Sequence, residues 1–161
     1  MRLVDVQLGR YDWAGMECGC GESAVHLPGL VRRLLAAGSR AEADAAGVGH
    51  HAMVQSFPQE PAVPLASVFM AALVGDLSAG ARATVLQILL NLVLNDDDDS
   101  SDECQDIARE GLWVLYGDLL ALHSGDVSWY AYKVLEVVDR DEGRLAAYLE
   151  AVKPLLPADL F

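Results

Sequence analysis

"LPGLVRRLL", residues 27–35, has the spacing of a helix that is buried along one side. Pro28 lies just inside the start of this helix, where the missing backbone N–H costs nothing. An apolar stripe at positions i, i+3, i+4, i+7 and i+8 faces a protein core. The stretch therefore predicts an amphipathic helix that packs against other helices. Its stripe consists of Leu27, Leu30, Val31, Leu34 and Leu35.

The same stripe recurs further along the chain. It begins again at Leu65, 38 residues later, and at Leu112, a further 47 residues on. The helices between these stripes also recur, with offsets of 40 and 46 residues. Helix pairs that repeat at about 40 residues are typical of HEAT and armadillo α-solenoids. The alternative is an irregular helical bundle whose stripes align by chance.

We expect an all-α, HEAT/armadillo-like α-solenoid of about three helix pairs plus a C-terminal capping helix. Strand signals are weak, because alternating apolar and polar stretches are nearly absent. The whole chain, residues 1–161, is predicted to form a single solenoid domain. Helices are predicted over residues 27–37, 41–57, 64–75, 80–95, 104–123, 127–139 and 142–154.

An acidic stretch, "NDDDDSSDE" at residues 95–103, separates the second and third repeats. Its nine residues equal the difference between the two repeat offsets, 47 and 38. We therefore expect residues 96–102 to be an acidic inter-repeat loop, because insertions in such loops cost little free energy. A calcium-binding EF-hand loop needs a Gly at position six and a Glu at position twelve, and this pattern is absent.

The charge of the chain limits its partners. The formal net charge is −13, from 24 acidic and 11 basic residues. Such a chain is disfavoured as a binder of nucleic acid or anionic membrane, since both require phosphates to be neutralised. It is suited to a basic protein partner. No apolar run is long enough to span a membrane, and residues 1–13 lack the apolar core of a signal peptide, so we expect a cytoplasmic protein.

The stretch "ECGCGESAVH", residues 17–26, raises the question of a zinc site. It holds Cys18, Cys20 and His26, and a fourth ligand has to come from Cys104, His50 or His51 by folding back. Zinc sites usually place two or more residues between paired cysteines. The alternative is a glycine-rich turn in which one cysteine packs as a small apolar residue. We expect the turn, with reduced thiols, no metal and no cofactor.

Catalysis has little support in the sequence. Cys18, His26 and Asp12 are the residue types of a nucleophile, a base and an orienting group, but nothing in their spacing brings them together. The sequence has no Walker loop, no dinucleotide fingerprint and no GxSxG motif. We therefore expect a protein that is not an enzyme.

A binding face is the better-motivated prediction. In two-helix solenoids, one helix of each pair lines a concave surface that docks partners. Polar and aromatic residues lie opposite the apolar stripes of these helices, and the alternative for them is ordinary solvent exposure. The candidate partner-binding residues are Asp44, His51, Gln55, Gln87, Asn91, Asp96, Asp97, Asp98, Asp99, Trp129, Tyr132, Lys133 and Glu136.

Several stretches resemble the short HEAT-like immunity proteins encoded beside bacterial polymorphic toxins. The resemblance runs from Trp13 to about Pro154. It rests on Trp13 followed by "CGESAVHLPGLVRRLL", on "HAMVQSFPQEPAVPLASVFMAALV" at the second repeat, and on "IAREGLWVLYGDLL" at the third. Similar proteins often have a Gln-Gly pair where this chain has Gln55 and Ser56.

The resemblance implies a small α-solenoid that binds and blocks a cognate toxin and has no catalytic activity of its own. With the net charge of −13, it favours a basic toxin as the partner. Two other functions stay open. One is a generic HEAT-like scaffold or adaptor, and the other is a metal-binding protein that uses the Cys18 and Cys20 region.

Overall fold

The computed structural model describes residues 2–95 and 98–156, and within these ranges the fold is helical apart from one two-stranded hairpin. The predicted all-α class is therefore confirmed. None of the described helices is both long and apolar enough to cross a membrane. The elements are α1 (Leu3–Gly9), α2 (Leu27–Ala36), α3 (Arg40–Ala45), α4 (Gly49–Ala52), β1 (Met53–Val54), β2 (Phe57–Pro58), α5 (Ala62–Leu73), α6 (Ala79–Val93), α7 (Asp99–Glu110), α8 (Leu112–Ala121), α9 (Gly125–Val138) and α10 (Glu142–Val152).

Contacts between the helices link most of the chain. α3 contacts α6, and α6 contacts α9. α5 contacts α1 and α7, while α8 packs on α9. The apolar stripes lie in the core, where Leu34, Phe69, Leu89 and Leu135 are fully buried. The stripes that predicted α2, α5, α6 and α9 are thus the residues that form the core.

The predicted helix over residues 41–57 is wrong. The chain forms α3, then the single turn α4, then the hairpin, with Met53 paired to Pro58 and Val54 to Phe57. Gly47 has a φ of +71°, a backbone conformation that ends the helix. Gln55 and Ser56 form the two-residue hairpin turn with φ values of 50° and 71°. Asn-Gly is the usual sequence for such a turn, so the hairpin has only a weak signal in this sequence.

The acidic loop predicted over residues 96–102 is wrong in its second half. Residues 96 and 97 lie outside the described ranges, but α7 already begins at Asp99. Asp98 caps this helix, since its side chain accepts hydrogen bonds from the backbone N–H groups of Ser100 (2.8 Å) and Ser101 (3.3 Å). Asp99 and Asp102 lie in the first turn, where negative charge is favourable. The acidic residues therefore begin a helix.

The predicted helix over residues 104–123 is likewise two helices. The chain turns at Gly111, which separates α7 from α8. α7 packs against α5 and α6, and it buries Ser101, Cys104 and Ala108. The extra spacing before the third repeat is therefore occupied by part of a packed helix.

A buried ion pair fixes the positions of three helices. Arg82 in α6 donates hydrogen bonds to Asp118 Oδ1 in α8 at 2.6 Å, to the carbonyl of Leu73 at 3.0 Å and to that of Gly75 at 2.6 Å. These two carbonyls lie at the C-terminal end of α5, where backbone acceptors have no partner within the helix. Burial raises the pKa of Asp118 above its usual value even though Arg82 acts to lower it.

The chain's last described α-helix is held by a second polar contact. Asp139 accepts hydrogen bonds from Tyr116 Oη at 2.5 Å and from Arg144 Nε at 2.9 Å. The hydrogen bond from Arg144 is the main reason that the pKa of Asp139 is lowered to about 2. These contacts join α10 to α8 and to the C-terminal end of α9. Asp139 stays ionised at neutral pH, so the contact is intact there.

The first prediction of this architecture concerns the α7 cap. Replacing Asp98 by Ala removes the acceptor for two backbone N–H groups and is expected to cost about 1 kcal/mol of unfolding free energy. Asp98→Asn is the control, because Asn is an equally good N-cap and leaves stability nearly unchanged. Chemical denaturation of both variants measures the difference. Equal stability of Asp98→Ala and the parent would contradict an α7 that begins at Asp99.

The second prediction concerns the buried pair. Arg82→Leu leaves Asp118 buried without its cation and is expected to cost about 3–5 kcal/mol. The double variant Arg82→Leu with Asp118→Leu should be less destabilised than the sum of the single changes, since it leaves no unpaired buried charge. A double-mutant cycle by urea denaturation measures this coupling. Strict additivity would show that the two side chains do not interact.

Candidate functional site

A groove runs between α6 and the segment from α3 to β2. It consists of two adjoining cavities of about 630 Å³ and 410 Å³, both lined by Met53 and Asn91. The polar residues predicted along α6 face this groove, as do polar residues on the opposite wall. We call it the α6 groove. Its polar lining includes Asp44, Gln55, Gln87, Asn91 and Asn95.

Some of the polar side chains in the α6 groove already have partners within the protein. Arg40 Nε donates a hydrogen bond to Asp44 Oδ1 at 3.1 Å, and Arg40 Nη2 donates one to Gln87 Oε1. Thr84 Oγ1 donates to the same Asp44 carboxylate at 2.7 Å. Arg40 also lies 5.4 Å from the centre of the Tyr130 ring. These contacts hold α3, α6 and α9 together, so Asp44 and Gln87 form a rigid wall of the groove.

Apolar side chains at the other end of the α6 groove are exposed. Phe57, just after the hairpin turn, has an exposed fraction of 61%, and Leu94, at the end of α6, has 53%. Both line the larger cavity together with Gln55 and Asn95. The sequence analysis missed this pair because residues 41–57 were predicted to be one helix. A residue at the end of that helix has no defined position relative to Leu94. A single exposed apolar residue is ordinary, but two that share a cavity with amides form a candidate contact surface.

The predicted binding residues of α9 lie apart from the groove. Lys133 Nζ is 5.6 Å from the centre of the Trp129 ring, 5.2 Å from that of Tyr132, and 2.6 Å from Glu136 Oε2. Tyr132 and Glu136 line a separate cavity of about 340 Å³ against α10. A hydrogen bond to Glu136 raises the pKa of Tyr132 to about 12. The sequence-predicted residues of α6 and those of α9 therefore lie on different surfaces.

Of the acidic residues predicted to bind a partner, Asp98 and Asp99 lie at the start of α7. Asp96 and Asp97 lie outside the described ranges. Asp98 is occupied as the helix cap, whereas Asp99 is exposed. The backbone N–H of Asp98 is 3.4 Å from the carbonyl of Asn95, which places the start of α7 next to the end of the α6 groove.

His51, the remaining predicted binding residue, belongs to a different site. Its Nδ1 lies 3.1 Å from Cys18 Sγ and 3.1 Å from His26 Nε2. His26 Nε2 is in turn 3.7 Å from Cys18 Sγ and 4.0 Å from Cys20 Sγ. All four ligand atoms lie within 4.8 Å of one another. We call Cys18, Cys20, His26 and His51 the Cys/His cluster.

The local backbone explains how the Cys/His cluster forms. Residues 16–24 make a tight loop in which the Cys18 N–H donates to the Glu22 carbonyl at 2.7 Å and the Ala24 N–H to the Met16 carbonyl at 3.0 Å. The Gly19 N–H donates to the His51 carbonyl at 3.0 Å, which joins this loop to α4. A Cβ atom at Gly19 would lie 2.7 Å from that carbonyl oxygen. Only glycine fits here without a shift of its neighbours, and residues 16–24 form a glycine-rich turn.

The electrostatics of the Cys/His cluster follow from its burial. Cys18 is only 2% exposed, and burial raises the pKa of its thiol. Burial is the main cause that lowers the pKa of His51, and the charges of the neighbouring His26 and His50 lower it further. A neutral imidazole and a thiol are thus held side by side. Of the three residues considered for catalysis, Cys18 and His26 lie in the cluster, whereas Asp12 caps the 3₁₀ turn Trp13–Gly15 by accepting a hydrogen bond from the Gly15 N–H at 3.2 Å.

The third cysteine is far from this chemistry. Cys104 is buried in α7, and burial raises its pKa to about 12. Its thiol is therefore protonated and packed as a small apolar group. The sequence offered Cys104, His50 and His51 as candidates for a fourth ligand. The structure places His51 beside Cys18, whereas Cys104 is packed in the core.

No protein-family model matches the chain, and no curated protein or solved structure is significantly similar to it. The α6 groove and the Cys/His cluster therefore have to be interpreted from their own residues. The groove presents amides and apolar side chains, whereas the cluster presents sulfur and nitrogen donors.

The contact between Gly19 and His51 gives a prediction. Gly19→Ala forces its new methyl group against the His51 carbonyl and is expected to lower the unfolding free energy by about 1–3 kcal/mol. Gly29→Ala is the matched control, since a Cβ at this exposed position of α2 meets no atom within 4 Å. Because Gly29 lies in the first turn of α2, this change should raise stability by less than the roughly 1 kcal/mol of a helix interior. Thermal unfolding compares the two, and equal effects would contradict the described packing of the loop on α4.

Proposed function

We propose that this chain is a non-catalytic, cytoplasmic protein-binding module, and specifically an immunity protein that binds and neutralises a cognate bacterial toxin. The α6 groove is the observation that carries the proposal. It combines a rigid polar wall with two exposed apolar side chains, Phe57 and Leu94. Binding interfaces typically combine apolar anchors with a polar rim. The resemblance of the sequence to HEAT-like immunity proteins agrees with this choice.

The finer fold that we propose is a short HEAT-like solenoid. Two observations support it. The helices α3, α6 and α9 contact one another in sequence order, and each belongs to one of the repeats read from the apolar stripes. In the same way, α1 contacts α5 and α5 contacts α7, again in chain order. Stacked helix pairs of this kind present one row of helices as a continuous binding surface.

Charge supports a basic partner. With a net charge of −13, the protein attracts a basic protein over distances longer than those of direct contact. Charge of this kind mainly raises the association rate, whereas the lifetime of the complex depends on desolvated anchors. The acidic start of α7 lies beside the end of the α6 groove, so it is placed to guide the partner towards Phe57 and Leu94.

The experiment measures binding of an inactivated form of the protein encoded beside this chain. Stopped-flow association should slow with added salt, because exposed charges are screened beyond roughly 8 Å at physiological ionic strength. Phe57→Ala and Leu94→Ala should each raise the dissociation rate, by a factor equivalent to about 2 kcal/mol if they are central anchors. Changing Asp96, Asp97 and Asp99 to Asn, with the capping Asp98 retained, should mainly slow association.

Val74→Ala is the matched control, because Val74 is 58% exposed and lies outside the α6 groove. This variant should bind like the parent. If Trp129→Ala and Tyr132→Ala weaken binding while the two groove variants do not, the binding surface lies on α9 and the α6 groove is not the site. If the neighbouring gene product does not bind at all, a scaffold or adaptor role replaces the immunity function.

A further inference from the structure

We propose that Cys18, Cys20, His26 and His51 bind one Zn²⁺ ion in a tetrahedral structural site. The four residues come from three separate segments, namely the loop over residues 16–24, the 3₁₀ turn Ala24–His26 and α4. They bring two sulfur and two nitrogen donors to one place. The inference does not depend on the identity of any protein partner.

The distances between the donor atoms agree with zinc coordination. With Zn–S bonds of about 2.3 Å and Zn–N bonds of about 2.0–2.1 Å, tetrahedral geometry places ligand atoms about 3.3–3.8 Å apart. Four of the six donor separations in the cluster are 3.1, 3.1, 3.7 and 4.0 Å, and all six lie within 4.8 Å. A central ion therefore needs side-chain shifts of a few tenths of an ångström for these four pairs and of at most about 1 Å for the pairs of Cys20 with Cys18 and His51.

The donor types select zinc over the hard cations. Sulfur and imidazole nitrogen suit Zn²⁺, whereas Ca²⁺ and Mg²⁺ take oxygen ligands. Within the described parts of the chain, no other group of three or more His, Cys, Asp or Glu side chains has this arrangement. The cluster contains no carboxylate. A set of two Cys and two His fills all four positions of a tetrahedral zinc ion, which is typical of structural sites rather than catalytic ones.

The loop holds the donors of the Cys/His cluster close together before any ion arrives. The Gly19 contact fixes the loop against α4, which holds the Cys18 and His51 donors close together. Cys20 is exposed and forms the open side of the cluster, by which an ion can enter.

Zinc would join the loop over residues 16–24 to the base of the hairpin. Cys18 and His51 are 33 residues apart in the sequence. A ligand that binds the folded state alone stabilises it in proportion to the logarithm of its concentration. Binding should therefore raise the melting temperature, and chelation should lower it.

The test uses the full chain, first stripped with a chelator and then titrated with Zn²⁺ or Co²⁺. We expect one equivalent of metal to bind, with the intense visible absorption of tetrahedral, thiolate-ligated Co²⁺, and zinc to raise the melting temperature. Cys20→Ser is the decisive variant, since its exposed side chain can change without disturbing the core. Its zinc affinity should fall by more than the roughly 10–100-fold typical of losing a second-shell partner. His51→Gln should lose affinity in the same way.

His50→Gln is the matched control. His50 is adjacent to His51 in α4 but is exposed and outside the cluster, so this variant should bind metal like the parent. Circular dichroism checks that every variant is folded. The proposal fails if the folded parent takes up no stoichiometric metal, or if Cys20→Ser and His50→Gln bind it equally well. It also fails if Co²⁺ binds without thiolate-to-metal absorption, since that would place the ion elsewhere.

Discussion

The buried pair of Arg82 and Asp118 is the constraint on which the rest of the structure depends. A guanidinium in the core needs hydrogen-bond acceptors, and the two terminal nitrogens of Arg82 find them in the carboxylate of Asp118 and the carbonyls of Leu73 and Gly75. These partners lie on α8 and at the end of α5. The position of α6 relative to both neighbours is therefore fixed by directional bonds as well as by apolar packing. Because α6 is held in this way, its polar residues consistently face α3 and the hairpin.

The short segment of residues 47–58 serves two sites at once. On one side, His51 faces Cys18 and His26 in the Cys/His cluster. On the other, Met53 and Phe57 line the α6 groove. Helices of one turn and strands of two residues have little stability of their own, so this segment depends on its contacts. The Gly19 hydrogen bond to the His51 carbonyl is one such contact, and it joins the cluster to the wall of the groove.

The residues that were predictable are those with a repeating apolar pattern. Leu27 begins α2, and Leu65 lies in the first turn of α5, much as the pattern indicates, because a buried face imposes a regular spacing. The acidic start of α7 was not predicted, since a run of aspartates resembles a loop until Asp98 is seen to cap a helix. Cys18, Cys20 and His26 could be found as donors from their spacing. His51 could not be chosen over His50, because only the folded backbone decides which ring turns towards Cys18.

The cross-links between helix pairs also have a consequence for the order in which the chain folds. Arg82 and Asp118 are 36 residues apart, and Thr84 and Asp44 are 40 apart, so each link closes about one repeat. Closing a loop of this length costs less chain entropy than closing one between the two ends of the chain, because the cost grows with loop length. A nascent chain leaving the ribosome can therefore complete each link as soon as the next helix pair emerges. The earlier pairs need not wait for the C-terminal helix.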